Sequence, residues 1–448
     1  MGKSSFLHSI FTDEAESEAE VVYPWELPTI MRKHILTGAM GMVFFALMSG
    51  IYLTAFGNQL GLQYWQWGLL ASLSSFTLVC QLLSAHIVAR TGSRKTLWFS
   101  AALFSRLLRA GGVVAAYFLF QTSEPLARLA FMGLLILSNA LAAISAPPWF
   151  SWLADLIPEE GHGRFMGRRR AWIALANLCV VVPIGYALDR FGARSQMSSL
   201  LAVFAVGFVL GLADLFIHRT IPEPPMSKPP RKSLWRGLLV PLQDARFRPW
   251  LVFNGLWTFG MTLGGSLAVL YFVENLGIKR NFFGGSLVLI LVPLAAAVLT
   301  APWSGALIDR YGVKPVLRVG HSLWALLPLF WLFARPDTAL LWLAPAAVIG
   351  GIASEAALNS STKLVTRLRS PGHVPMYMAV STCVGCIAGG TGSLLAGILL
   401  QVFGESSWQV GGVTVVGFHA LFLVSFVLRL SATLAIRRIP SGNMKRQD

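Results

Sequence analysis

The stretch GALIDRYGVK, Gly305 to Lys314, has a counterpart in AHIVARTGSRK, Ala85 to Lys95, and this pair decides how the chain is built. Arg310 follows Arg90, and Gly312 follows Gly92, by the same 220 positions. Further on, GYALDRFG (Gly185–Gly192) falls on GILLQVFG (Gly397–Gly404) at an offset of 212, which also sets Met166 on Met378. Two matches at nearly one spacing mark a chain made of two similar halves. Each quoted loop is short, basic and turned by a glycine, and each joins apolar runs of about twenty residues or more, the length that crosses ~30 Å of hydrocarbon.

Composition agrees. Of 448 residues 55% are hydrophobic and only 12% charged, with mean hydropathy +0.63, far more apolar than a water-soluble domain. Twelve spans are expected: His34–Gln59, Tyr64–Val88, Thr96–Phe120, Leu129–Leu153, Ala171–Leu188, Met197–Phe216, Trp250–Phe272, Phe282–Leu307, Val316–Phe333, Ala339–Ser360, Val374–Phe403 and Gly411–Ile436. In lipid each must be helical, because only a helix satisfies its own backbone there. The expected fold class is therefore all-α membrane. It divides into a tail 1–33, a six-helix bundle 34–217, a loop 218–248, a second bundle 249–436 and a tail 437–448.

The net charge of +16 could suggest a nucleic-acid partner, but its distribution excludes one. Outside the spans, Arg and Lys recur after every second apolar run. Only Arg128, Arg190, Arg194, Lys279, Arg280 and Arg335 fall on the opposite side. By the positive-inside rule both termini are expected in the cytoplasm and the protein in a cell (inner) membrane. Residues Met1 to Pro28 are polar and acidic with no apolar leader, and so read as a cytoplasmic tail. The connector carries IPEPPMSKPP, which cannot be helical, then SLWRGLLVPLQDARFR, read either as a basic amphipathic surface helix or as a solvated linker.

On these residues the chain resembles the major facilitator superfamily. Gly305, Asp309, Arg310, Gly312 and Lys314 match that family's loop signature GxxxDRxGRK. In the first half Arg90, Gly92, Arg94 and Lys95 remain, while Ala85 and Ala89 replace its Gly and Asp. DLIPEEGHGRFMGRR, Asp155 to Arg169, is similar to the family's loop between spans four and five. The resemblance implies two pseudo-symmetric bundles and transport by alternating access. It also implies that Asp309 faces the start of span five, near Arg168 to Arg170, and shuts the cytoplasmic side. Physically, Gly305 suits close helix approach and Gly312 a tight reversal. Arg310 and Lys314 suit anionic lipid or a cytoplasmic carboxylate.

Ionisable groups inside spans are functional candidates by default. Arg106 and Arg109 lie about 15 and 20 Å into span three on one face. They are candidates for an anionic substrate group or for ion pairs with Asp214 or Asp155. Glu355, one turn before Asn359 in span ten, is the proton-coupling candidate, with a structural or gating role as the competing reading. Tyr52 and Asn58 in span one, Asn139 in span four, Asn254 and Trp257 in span seven, and Asn359 complete the candidate substrate contacts. Each competes with simple packing or helix–helix hydrogen bonding.

No Walker-A, HExxH or GxSxG element appears, so neither ATP hydrolysis nor an enzyme activity is expected. Cys383 and Cys386 lie in an apolar run without a second ligand pair, and His86 and His419 stand alone, so no metal or cofactor is expected. The expected function is secondary transport of a small organic solute, proton-coupled, by a monomer in contact with membrane lipid. The alternatives are a flippase for lipid-like molecules and a non-transporting sensor.

Overall fold

The computed structural model describes residues 23–157, 162–191, 196–225, 234–276, 281–368, 374–404, 406–410 and 413–440. Twelve helices within them are long and apolar enough to cross a membrane. They are Leu27–Gln59, Tyr64–Val88, Arg94–Phe120, Glu124–Leu156, Phe165–Phe191 and Met197–Arg219 in the first half. Arg248–Glu274, Phe282–Tyr311, Val313–Phe333, Ala339–Leu368, Met376–Phe403 and Gly417–Arg438 form the second. The all-α, twelve-span architecture is as expected, with limits shifted by a few residues. Span one starts at Leu27, with Pro28 in its first turn where a missing N–H does no harm, so it takes in the end of the expected tail. Span twelve starts later than expected, because a hairpin of β1 (Ser407–Val410) and β2 (Val413–Val416) precedes it. In the connector, Leu234–Gln243 is helical.

Among the described residues three spans are interrupted by non-helical positions: span nine at Leu326, and the first span of each half. Span one breaks where Ser49 is extended and Gly50 takes φ +55, between helices Leu27–Leu47 and Gly50–Gln59. Span seven breaks at Ser266 and Leu267. A break at membrane depth frees carbonyls that lipid cannot satisfy. In both halves a buried arginine lies at such an interruption, in span one of the first half and in span nine of the second. Arg109 donates to the Met48 carbonyl at 3.1 Å, and Arg429 to the Met261 carbonyl at 3.1 Å and the Trp324 carbonyl at 3.3 Å. A cation at a helix C-terminus is electrostatically favoured.

The apolar core is asymmetric along the bundle. Arg90, Arg94, Arg168 to Arg170, Arg310, Lys314 and Arg437 gather at one end, called here the basic end. Toward the opposite end one cluster fuses the halves, joining Tyr52, Phe56 and Phe131 to Phe272, Phe282 and Phe418. Toward the basic end the core divides. Trp98, Trp152 and Phe165 belong to a cluster of first-half residues, and Phe247, Trp250 and Leu317 to one of second-half residues.

Candidate functional site

At the opposite end the seam between halves is built from close backbone approach. A Cβ placed on Gly68 of span two would lie 2.6 Å from the Gly397 Cα of span eleven. One on Gly185 of span five would lie 2.9 Å from the Phe282 carbonyl oxygen of span eight. Small residues permit this contact, and any side chain would wedge it apart. Polar groups then fix the register. Tyr52, fully buried, donates to the Val181 carbonyl (3.1 Å), shares a hydrogen bond with Ser286 (2.8 Å) and stacks on Phe282. Asp189 accepts from the backbone N–H groups of Phe282 (2.7 Å) and Phe283 (2.8 Å), placing a carboxylate on the positive start of span eight. Glu274 of span seven accepts from Asn58 (2.5 Å) and Tyr64 (3.2 Å) in spans one and two.

Toward the basic end these contacts thin out. Spans two and eleven still meet where Phe76 lies against Gly390. Beyond that, a cavity of about 320 Å³ separates Leu78, Gln81 and Leu82 from Met378, Thr382 and Cys383. On the other flank, among the described residues, one ion pair crosses between the halves, Arg170 of span five to Glu355 of span ten at 3.0 Å. Glu355 also accepts from Asn359 (3.0 Å), whose amide reaches Ser304 (3.1 Å). The Glu355 carboxylate is largely covered and Arg170 is exposed.

The paired loops work inside their own halves. Gly92 and Gly312 both turn the chain at positive φ, +72 and +87, a conformation that glycine adopts without strain. Arg94, 1% exposed, bonds Asp155, Glu223 (3.4 Å), Ser151 (3.2 Å) and the Pro224 carbonyl (3.1 Å). Lys314, its equivalent 220 positions on, donates to the Arg437 (3.0 Å) and Ile439 (2.5 Å) carbonyls. Each cation thus ties its half's second-to-third-span loop to the chain leaving that half's last span. Lys314 meets backbone carbonyls rather than a carboxylate. Asp309 pairs with Lys363 of its own half at 3.0 Å, and both are solvated. It does not meet Arg168 to Arg170, where Arg170 has taken Glu355 instead. Gly305 has open space around it rather than a close helix neighbour. Arg310 lies over the Tyr311 ring at 5.2 Å, and Arg90 is exposed. The side chains of Ala85 and Ala89 fall outside the described residues.

The remaining candidates separate into packing groups and cavity groups. Arg106 pairs with Asp214 at 2.5 Å, as expected for one of its two possible partners, while Asp155 goes to Arg94. Arg109 is buried against Met48 and Asn139, and Asn139 donates to Ser74 (2.7 Å). Trp257 is packed among Phe253, His321 and Trp324. Asn254 donates to the Ser381 carbonyl (2.8 Å) and lines a cavity of about 190 Å³ with Thr362, Met378 and Thr382. Among the described residues no cluster of His, Cys, Asp and Glu could hold a metal ion. Sequence reasoning passed over Asp189, Glu274 and Arg429. Asp189 was visible as the acid of the DRFG repeat, but its partner is a backbone helix start supplied by the other half.

Residues 258–446 match the family model of the Major Facilitator Superfamily. A probable transporter of Streptomyces coelicolor is 29% identical over 270 residues, which cover 59% of this chain and 58% of that protein's length. Among solved structures, a mutant of the nucleoside transporter NupG superposes with TM-score 0.66 at 13% identity, over 92% of this chain and 99% of that one. A D-xylose-proton symporter gives 0.64 at 16%, over 93% and 98%. The chain is thus similar to the major facilitator superfamily, by a family-model match over residues 258–446 and by the twelve-span fold it shares with these structures.

Proposed function

We propose that the chain is a secondary transporter that moves a small organic solute by alternating access, with the basic end in the cytoplasm of an inner-membrane protein. One observation carries this reading: the apolar core is continuous across the halves at one end and divided at the other. Such an arrangement is one of two related states, since packed interfaces switch between discrete arrangements rather than deform smoothly. In this state the solute path opens toward the cytoplasm, between spans two and eleven. Tyr52, Asp189, Glu274 and the Gly68–Gly397 contact hold the outer end closed.

Proton coupling is assigned to Glu355. As a carboxylate it holds Arg170 across the halves. Once protonated, it loses its charge attraction for Arg170, and the two bundles are released to rock. The Arg170–Glu355 pair supports this role because it crosses between halves, unlike the Asp309 pair. The xylose symporter and nucleoside transporter named above support a small-molecule substrate by analogy of fold alone.

The test uses purified protein in proteoliposomes, with a panel of organic solutes and an internal pH dye. A transporter of this kind gives solute-dependent proton movement. Glu355→Gln abolishes proton-driven uptake and spares counterflow exchange of the same solute. Normal coupling in that variant would end the assignment of Glu355, and no flux with any solute despite retained binding would favour a sensor.

A further inference from the structure

Inside the first half, away from the Arg170–Glu355 pair, lies a cavity of about 300 Å³ with a charged floor and aromatic walls. Arg106 of span three, Arg169 of span five and Asp214 of span six meet there, beside His218, Trp98 and Trp149. Span one makes room for them with two glycines. A Cβ on Gly38 would lie 2.6 Å from Arg169 Nη2, and one on Gly41 would lie 2.8 Å from Asp214 Oδ2.

The polar balance of this floor is uneven. Asp214 is hydrogen-bonded to Arg106 at 2.5 Å and also lies near enough to Arg169 to feel its charge, so one carboxylate serves two guanidiniums. His218 accepts from Trp149 at Nε2 (3.2 Å) and turns Nδ1 to Thr37 (3.1 Å). Arg169 uses Nε on the His34 carbonyl (3.3 Å) and lies 5.2 Å over the Trp149 ring. Its two terminal nitrogens have no hydrogen-bond acceptor among the described residues. Two guanidiniums and one carboxylate leave the floor with one uncompensated cation. A guanidinium with a free edge is built for bidentate pairing with a carboxylate or phosphate. Met42, Phe45 and Phe150, which also line the cavity, are exposed. Pro147, one turn before Phe150, lines the hollow between the halves with Met378 and Cys383, so this side of span four turns toward the solute path.

We infer that this pocket binds a small soluble organic anion, its carboxylate or phosphate on Arg169 and its apolar body against Trp98 and Trp149. The inference deepens the transport reading and rests on it for the anion's fate, though not for its binding.

The experiment is scintillation-proximity binding of radiolabelled benzoate to the full chain in phosphatidylcholine nanodiscs, with phenyl phosphate and uncharged benzamide as competitors. Saturable binding displaced by phenyl phosphate and not by benzamide is expected. Arg169→Gln weakens it by about tenfold or more, the loss expected for a charged hydrogen-bonded pair. Arg169→Lys retains part of it, and Arg168→Gln leaves it unchanged. Gly38→Ala, which keeps every charge but crowds the guanidinium, weakens it too. No saturable binding, equal binding in Arg169→Gln discs that remain monodisperse, or equal displacement by benzamide overturns the proposal. Loss of binding when phosphatidylglycerol replaces phosphatidylcholine also overturns it, since the anion would then be a lipid headgroup. Benzoate binding without flux of any solute would defeat the transport reading alone. Flux of neutral solutes without benzoate binding would defeat the pocket alone.

Discussion

The two ends of the seam between spans five and eight hold opposite kinds of contact. At the end away from the basic loops, Gly185 and Asp189 bring span five onto the start of span eight by backbone contact and a carboxylate on fixed N–H groups. At the basic end, among the described residues, the polar contact of span five with the second half is one long arginine, Arg170, on the Glu355 of span ten. The first contact uses rigid groups and loses little side-chain freedom on forming. The second must order a flexible, exposed arginine against a largely covered carboxylate, and solvent screening on the arginine side keeps such a pair weak, on the order of 1 kcal/mol. The difference teaches which end is poised to move. A seam made of glycine faces and helix starts is either closed or absent, whereas a single ion pair can be made and broken with little change elsewhere.

The largest effect is expected where the contact is tightest. Gly68→Ala forces a methyl onto the Gly397 backbone and should destabilise the closed end by ~1–3 kcal/mol. Cysteine labelling at the far-end rim would rise and thermal stability fall. An unchanged melting temperature would mean the glycine contact is slack. Asp189→Asn comes next. Removing the charge from the start of span eight should weaken the seam by ~0.5–1 kcal/mol, read as increased labelling at the same rim. Glu355→Gln should leave far-end labelling alone and increase access to the basic-end hollow, for example at Ala379→Cys. The smallest effect is reserved for Asp309→Asn. Its pair with Lys363 is solvated and lies within one half, so stability should change by less than ~0.5 kcal/mol. Its effect falls instead on the alternative state, favouring the form open at the basic end.

Much of this was legible in the sequence for definite reasons. The spans follow from apolar length. The equivalence of Arg94 and Lys314 follows from the offset between Arg90 and Arg310. Gly92 and Gly312 were readable as turns because a basic loop that short needs a left-handed residue. Other features were hidden for equally physical reasons. A helix apolar on all sides does not declare which face meets a partner, so Tyr52 and Trp257 looked like pore residues and are packed instead. Arg109 answers a backbone carbonyl freed by the break at Ser49 and Gly50, and a carbonyl has no signature in composition. Asp309 was assigned a partner across the halves, but Lys363 of its own half lies nearer and takes it, a contact that spacing along the sequence does not announce.

Paired spin labels would test the two-state account most directly, with Arg90→Cys and Tyr311→Cys across the basic end, and Glu124→Cys and Asp337→Cys across the other. In nanodiscs at neutral and acid pH, with and without solute, the two distances should change in opposite senses, one shortening as the other lengthens. Two narrow distributions that stay fixed under every condition would contradict it.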